Sequence, residues 1–445
     1  MVLQTLDLIF IFLYFALLLI IGYFASRKQK EEDYLIANRN LGTWQTMMTT
    51  NASKSGSILM LFVGLVYLWG FSAIWYFIGV VTGALLFIPF AIKIKKTVSD
   101  KHYTLPHYFK YRYGKRVGFF ASLLSIVLMF GLLVVNLMAG TKLFVFFTGW
   151  PFWICGALMI LIVLLYILMA GFNAVVKTDI LQYIAMMAIM VLLAFLMFNG
   201  SLIPTSEWQI FKADIVTILG FFIIGVMFAF GSPDLWQRVY SAKGKKEVRN
   251  GLLISVAIYA IMAFLLSLIA LTVKVQFPGV DPDLALIHGF ANLLPEGVLG
   301  LSVILLFAAI MSSIDTYIFT AGASLVQDFF NWDKKKTVRN LRRVIFALAV
   351  IATILSILIQ DLIIGSYIFV SFVVVIAISV LATWIKPSIK ETTLISEYVF
   401  GIAGMIGFVI YGIFIGEITP SLVMGVLVSS LVGLIIGSVI SFVRK

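Results

Sequence analysis

The sequence predicts an all-α polytopic membrane protein with about 13 transmembrane helices. They form an inverted five-helix repeat with two broken helices, plus an extra N-terminal helix. Three observations predict this. Apolar runs of 18 or more residues recur along a chain that is 62% hydrophobic and 12% charged, the mark of membrane-spanning helices. The loops between the runs alternate between strongly and weakly basic. The second and seventh runs each carry residues that interrupt a helix.

The spans are expected at roughly 6–26, 46–68, 73–94, 118–147, 151–170, 178–199, 215–235, 251–274, 297–325, 344–359, 363–385, 397–415 and 421–442. The first lacks a cleavage site and a basic flank, so it reads as a retained helix rather than a signal peptide. Of 32 Lys and Arg, 28 fall in the loops at 27–40, 93–116, 171–177, 238–249, 334–343, 386–390 and 444–445. The intervening loops hold only Lys142, Lys212 and Lys274. Positive loops mark the cytoplasmic side, which places the N-terminus outside and the C-terminus in the cytoplasm. The net charge of +12 therefore reports topology in a cell membrane, not nucleic-acid binding. A single transmembrane domain fills 1–445: the extra helix at 6–26, repeats at 46–199 and 215–385, and accessory helices at 397–442. One cysteine, Cys155, excludes an internal disulfide and a Cys zinc cluster. Glycines in "GIAGMIG" (401–407), at Gly412 and Gly416 and at Gly433 and Gly437, read as close helix contacts in the bundle or at an oligomer interface.

The one basic residue left over is Lys54, inside "TTNASKSGS" (49–57). If its helix enters the membrane near Thr43, Lys54 lies about 16 Å deep at 1.5 Å per residue, near the middle of a core about 30 Å thick. A charge there costs several kcal/mol unless it faces a polar cavity or a partner. The small polar residues around it predict an unwound segment lining a cavity, since bare backbone at that depth is tolerated only there. A second break is predicted in "AFGSPDLWQR" (229–238), where Pro233 removes a hydrogen bond and Gly231 and Ser232 loosen the turn. The breaks lie five spans apart. Five is odd, so the repeats are inverted, as in secondary transporters that bind solute and ions between broken helices. A third cluster, "FAAIMSSIDTYIFT" (307–320), puts Ala309, Ser312, Ser313 and Thr316 on one helical face. Hard cations take such oxygens, and Asp315 adds a carboxylate deep in the span. Lys54 and Asp315 are the two charges placed near the midplane.

Five segments resemble the sodium/solute symporter family in order: "EEDYLIANRNLGTW" (31–44), "YTLPHYFKYRYG" (103–114), "GFNAVVKTDILQ" (171–182), "LWQRVYSAKGKKEVRNG" (235–251) and "AAIMSSIDT" (308–316). The resemblance covers about 6–385 and implies a leucine-transporter-type fold. It implies a main sodium site from the Ser312 and Ser313 hydroxyls, the Ala309 carbonyl and two carbonyls of the broken second span. Those two are Asn51 and Lys54, or Ala52 and Ser55 with a one-residue shift. A second sodium site, found in some relatives, matches Asp179, Ser312, Asp315 and Thr316. The implied solute cavity takes Ser53, Ser55, Gly56 and Ser57 on one side and Met227, Phe228 and Phe230 on the other. Asp179 is implied as a gate or ion-release residue.

Lys54 departs from the family. An ammonium about 4 Å from Na⁺ repels it by about 4 kcal/mol at an effective dielectric of about 20, roughly a thousandfold in affinity. Three readings stay open: Lys54 points away and grips an anionic solute, replaces Na⁺ and pairs with Asp315, or carries a proton through each cycle. His102, His107 and His288 are placed in loops and are not candidates for that proton. The expected function is cation-coupled symport of a small organic solute by alternating access, with Na⁺ favoured over H⁺. The alternatives are a proton-coupled or sodium-independent transporter and a non-pumping solute sensor. No cofactor is expected. The chain shows no Ser–His pair at depth, no His–Glu metal motif and no phosphate loop, so an enzyme is not expected.

Overall fold

The computed structural model describes residues 5–26, 31–97, 103–198, 203–295, 298–329, 337–416 and 418–443. His102, Lys334 to Lys336, Arg444 and Lys445 lie outside them. The described residues are helical almost throughout; their one β-type pairing is an isolated bridge between Leu41 and Ala242. A peripheral helix α1 (Thr5–Ser26) and a short α2 (Glu31–Ile36) precede the first broken span, α3 (Thr43–Lys54) and α4 (Ile58–Trp69). Then come α5 (Ile74–Thr97), the short loop helix α6 (Leu105–Tyr113), α7 (Lys115–Thr148) and α8 (Phe152–Phe198). The second broken span is α9 (Ile215–Gly231) with α10 (Pro233–Ser241). It is followed by α11 (Lys245–Gln276), the short α12 (Ala285–Leu293) and α13 (Leu299–Ser324), which ends in a π-helical turn over Leu325–Phe329. The chain closes with α14 (Thr337–Ile359), α15 (Leu362–Ile385), α16 (Glu391–Ile415) and α17 (Ser421–Val443).

Local chemistry sets the boundaries. Asp214 caps α9 by accepting from Val216 N and Thr217 N, both at 3.0 Å, and these donors hold its carboxyl below the usual range. Asp361 caps α15 through Ile364 N at 2.7 Å. Gly171 sits at φ +55°, and a Cβ there would lie 2.7 Å from Tyr34. Only glycine meets both demands, so α8 is kinked there and divides into two membrane-length stretches. Helices α5 and α9 cross closely because Gly79 and Gly225 face each other's backbone: a Cβ on either would lie 2.2 Å from a carbonyl oxygen of the other helix.

Among the described residues, eleven stretches are long and apolar enough to cross a membrane, or twelve with the bent pair α9–α10. About thirteen were expected. The difference lies in Ile58–Lys96, which holds α4 and α5 on either side of a turn at Gly70 (φ +64°). The layering follows burial: 94% of the α13 span is buried against 22% for α16, which puts α13 at the centre and the accessory pair at the edge. Gly401, Gly433 and Gly437 pack α16 and α17 against each other or against α15. His107 and His288 lie on the short helices α6 and α12 rather than in irregular loops.

Candidate ion and solute site

The first break is shorter than the sequence suggests. Helix α3 stays helical through Lys54, and only Ser55 to Ser57 leave it. The hydroxyls explain this. Ser53 Oγ donates to Thr50 O at 3.2 Å, and Ser55 Oγ takes Asn51 O at 2.7 Å while Ser55 N turns to Ala52 O, so side-chain bonds stand in for the helical ladder where it ends. The freed backbone finds partners on two neighbouring helices. Gly56 N donates to Ser313 Oγ at 3.1 Å, and Ser57 N donates to Asn136 Oδ1 at 2.8 Å. A Cβ at Gly56 would lie 2.2 Å from Asn136 Oδ1 and 2.3 Å from Ser313 Oγ. Gly56 is therefore packed between α7 and α13 and does not line a solute cavity as expected. Ser53, Ser55 and Ser57 are buried as well.

Opposite the break, Ser312 Oγ, with one proton to give, lies within hydrogen-bond distance of both Ala52 O (2.9 Å) and Ala309 O (2.8 Å). Ser313 Oγ and Tyr317 Oη reach Ser53 O at 2.8 and 3.0 Å. The carbonyl beside Ser312 is thus that of Ala52, as in the shifted register. Asn51 O is taken by Ser55, and the Asn51 side chain bonds Tyr183 Oη at 3.2 Å and accepts from Ser255 Oγ. No oxygen of Lys54 meets this cluster through a hydrogen bond. The result is a compact group of hydroxyl and carbonyl oxygens where α3 ends against α13.

One helical turn away lies a buried ion network. Arg238, expected in a cytoplasmic loop, sits on α10 and is wholly buried. Its Nη2 lies 3.2 Å from Asp179 Oδ2 and 2.9 Å from Thr316 Oγ1. Its Nε reaches Thr49 O at 2.9 Å, and its Nη1 lies 3.6 Å from Asp234 Oδ2. Thr49 Oγ1 also donates to Asp179 Oδ2, and Ser53 Oγ reaches Asp234 Oδ2 at 3.3 Å. Thr178 Oγ1 lies 3.5 Å from Asp315 Oδ2. Asp179, Asp234 and Arg238 thus join Lys54 and Asp315 as charges at depth, which corrects the expectation of two. Arg238 offsets Asp179 and Asp234, as buried charges require partners.

Lys54 does not pair with Asp315. Its Nζ stands 5.4 Å from the centre of the Phe228 ring, a cation–π contact, and no carboxylate lies within salt-bridge distance among the described residues. It borders a cavity of about 20 Å³ with Thr50, Ser255, Leu252 and Tyr259, room for a water molecule. At the second break, the chain bends by 40° where Ser232 is extended and Pro233 starts α10. A Cβ at Gly231 would lie 2.3 Å from Val373 O, and Trp236 Nε1 caps the freed Phe230 carbonyl at 2.9 Å. Met227 is half-buried, while Phe230 packs on Phe87 and Trp384 and does not line Lys54's cavity. A much larger cavity, about 840 Å³, opens on the side of Lys142 and is walled by Trp69, Tyr367, Asp283 and Asp361.

Two residues that sequence reasoning missed carry much of this geometry. Asn136 is the lone amide in the apolar run 117–140, a signal that polar residues at depth do work. Arg238 stood in the "WQR" segment but was assigned to the loop charge.

Two helices broken at polar turns, a hydroxyl cluster opposite the first, and a buried ion network between them define a secondary transporter. The model of the sodium:solute symporter family matches residues 34–433, and the chain belongs to that family. It performs cation-coupled symport of a small organic solute across a membrane. It is 27% identical over 377 residues to the osmoregulated proline transporter OpuE of Bacillus subtilis, covering 77% of this chain and 76% of that one. It is also 27% identical over 347 residues to a sodium/proline symporter of Staphylococcus aureus (strain Newman), covering 72% and 68%. Its fold matches an outward-open, substrate-bound Na⁺-coupled sialic acid symporter with TM-score 0.80 at 19% identity over 98% of both chains. A nucleobase-cation-symport-1 transporter, Mhp1, in a closed conformation matches at TM-score 0.56, 12% identity, covering 92% and 95%. The leucine-transporter-type fold expected from the sequence is therefore present.

Proposed function

We propose that the protein couples the inward movement of one proline-like zwitterion to Na⁺, bound by the oxygens of Ala52, Ser55, Ala309, Ser312 and Ser313. The observation that carries the reading is Ser312 Oγ lying within 2.9 Å of both Ala52 O and Ala309 O. Two hydroxyls and neutral carbonyls at a helix C-terminus suit a small hard cation. The position of Lys54 supports the first of its three readings. Its ammonium faces Phe228 and a small, mostly apolar cavity, away from the oxygen cluster, where it can meet a solute carboxylate. The names of the curated relatives support proline as the first solute to test. The positive-inside pattern supports an N-terminus outside, so the 840 Å³ cavity beside Lys142 is the extracellular vestibule of an outward-facing state. The opposite side is closed by the Arg238 network and the Leu41–Ala242 bridge.

Uptake of L-[¹⁴C]proline into proteoliposomes under separate Na⁺ and pH gradients tests the reading. Uptake is expected only with inward Na⁺, to fall at least tenfold in Ser312→Ala, and to show a raised KM for proline in Lys54→Met with the Na⁺ dependence kept. Uptake driven equally by a pH gradient overturns the sodium assignment. Saturable proline binding without counterflow overturns transport itself and favours the sensor.

A further inference from the structure

The four groups matched to a second sodium site, Asp179, Ser312, Asp315 and Thr316, do not surround an open position. Arg238 Nη2 lies 2.9 Å from Thr316 Oγ1 and 3.2 Å from Asp179 Oδ2, so two of the four already bind a cation that belongs to the chain. The guanidinium cannot leave by drifting. It is wholly buried, and its other nitrogens are held by Thr49 O (2.9 Å) and Asp234 O (3.2 Å). A Na⁺ within about 4 Å of it would lose roughly a thousandfold in affinity at an effective dielectric of about 20.

We propose that Arg238 is a tethered cation standing where a second coupling ion would bind, so that a single Na⁺ accompanies each solute. This rests on the sodium-symport reading above. Equilibrium binding of ²²Na⁺ to the purified chain in nanodiscs gives an integer that separates the two ideas. Saturation at one Na⁺ per chain with a Hill coefficient near one is expected, and a ²²Na⁺ to [¹⁴C]proline flux ratio of one should match it. Two Na⁺ per chain overturns the tethered-cation proposal and leaves sodium symport standing. No saturable Na⁺ binding overturns both. Arg238→Met is expected to bind a second Na⁺ and Arg238→Lys to bind one; a Met variant that still binds one overturns the proposal. If the Met variant does not fold, the wild-type count still decides. Thr316→Val then adds a check: it should leave the count at one, whereas a true second site would lose an ion.

Discussion

Gly56→Ala tests whether the first break is a packed joint that holds the ion cluster together. The added Cβ would lie 2.2 Å from Asn136 Oδ1, 2.3 Å from Ser313 Oγ and 2.5 Å from Ser313 Cβ. Ordinary contact begins near 3.4 Å, so α3 must move from α13 and α7 by roughly 1.2 Å. Neither neighbour can yield by swinging a long side chain, because Ser313 and Asn136 are short and both hold backbone groups of the break. Overpacking of this size costs about 1–3 kcal/mol. The same shift pulls Ser312 from Ala52 O and widens the proposed oxygen cage. Sodium affinity should therefore fall at least tenfold in ²²Na⁺ binding, with a lowered thermal unfolding temperature in nanodiscs. A variant that folds and binds Na⁺ at wild-type affinity would refute the placement of the ion between α3 and α13.

Two further predictions concern parts outside the ion cluster. Asp283 accepts from Lys142 Nζ at 2.5 Å and Leu362 N at 3.0 Å, tying the α12 region to α7 and α15 on the wall of the large cavity. Asp283→Ala should lose about 1.5–3 kcal/mol of this local docking and speed amide exchange across Ala285–Leu293 tenfold or more; unchanged exchange would show that the tie is not a latch. Glu397 is wholly buried, with Ser379 Oγ 3.1 Å from its Oε2 and no cation paired with it among the described residues. Glu397→Gln is a close isostere that keeps an acceptor for Ser379, so its stability should hold, while Glu397→Ala leaves Ser379 without that partner and should lose about 1–3 kcal/mol. A Gln variant as unstable as the Ala variant would show that the carboxyl itself is needed.

Membrane spans and the positions of both breaks were legible because lipid permits so little: long apolar runs must be helices, and interrupted ones must have a reason. Ala309, Ser312 and Ser313 were legible for a similar reason, since helical spacing fixes which residues share a face. The extent of the first break was not. Propensity counts seven poor helix formers at 49–57, but residues 49–54 stay helical, and Ser313 and Asn136 take up the backbone freed at Gly56 and Ser57. The register of the ion carbonyls was also hidden. A one-residue shift rotates a carbonyl by 100° about the helix axis, and only the position of Ser312 chooses between Ala52 and Asn51. Arg238 was misplaced because a basic residue seven positions past a helix break looks like loop charge. Only the short helix α10, folded back under Asp179, carries it inside.

The proposed ion site and the buried network are not independent, because they share both helices that build them. On α3, Thr49 serves Arg238 and Ala52 serves Ser312; on α13, Ser312 serves the break and Thr316 serves Arg238. These pairs are three and four residues apart, one helical turn. Under the proposed reading, a cation that draws α3 onto α13 at Ala52 also aligns Thr49 and Thr316 around the guanidinium and favours the state closed on the proposed inner side. Opening inward has to part α3 and α10 from α8 and α13, and that same separation removes Ala52 from Ser312. Ion release and loss of the Arg238 contacts then belong to one movement. Differential affinity of Na⁺ for the two states is all that such coupling requires.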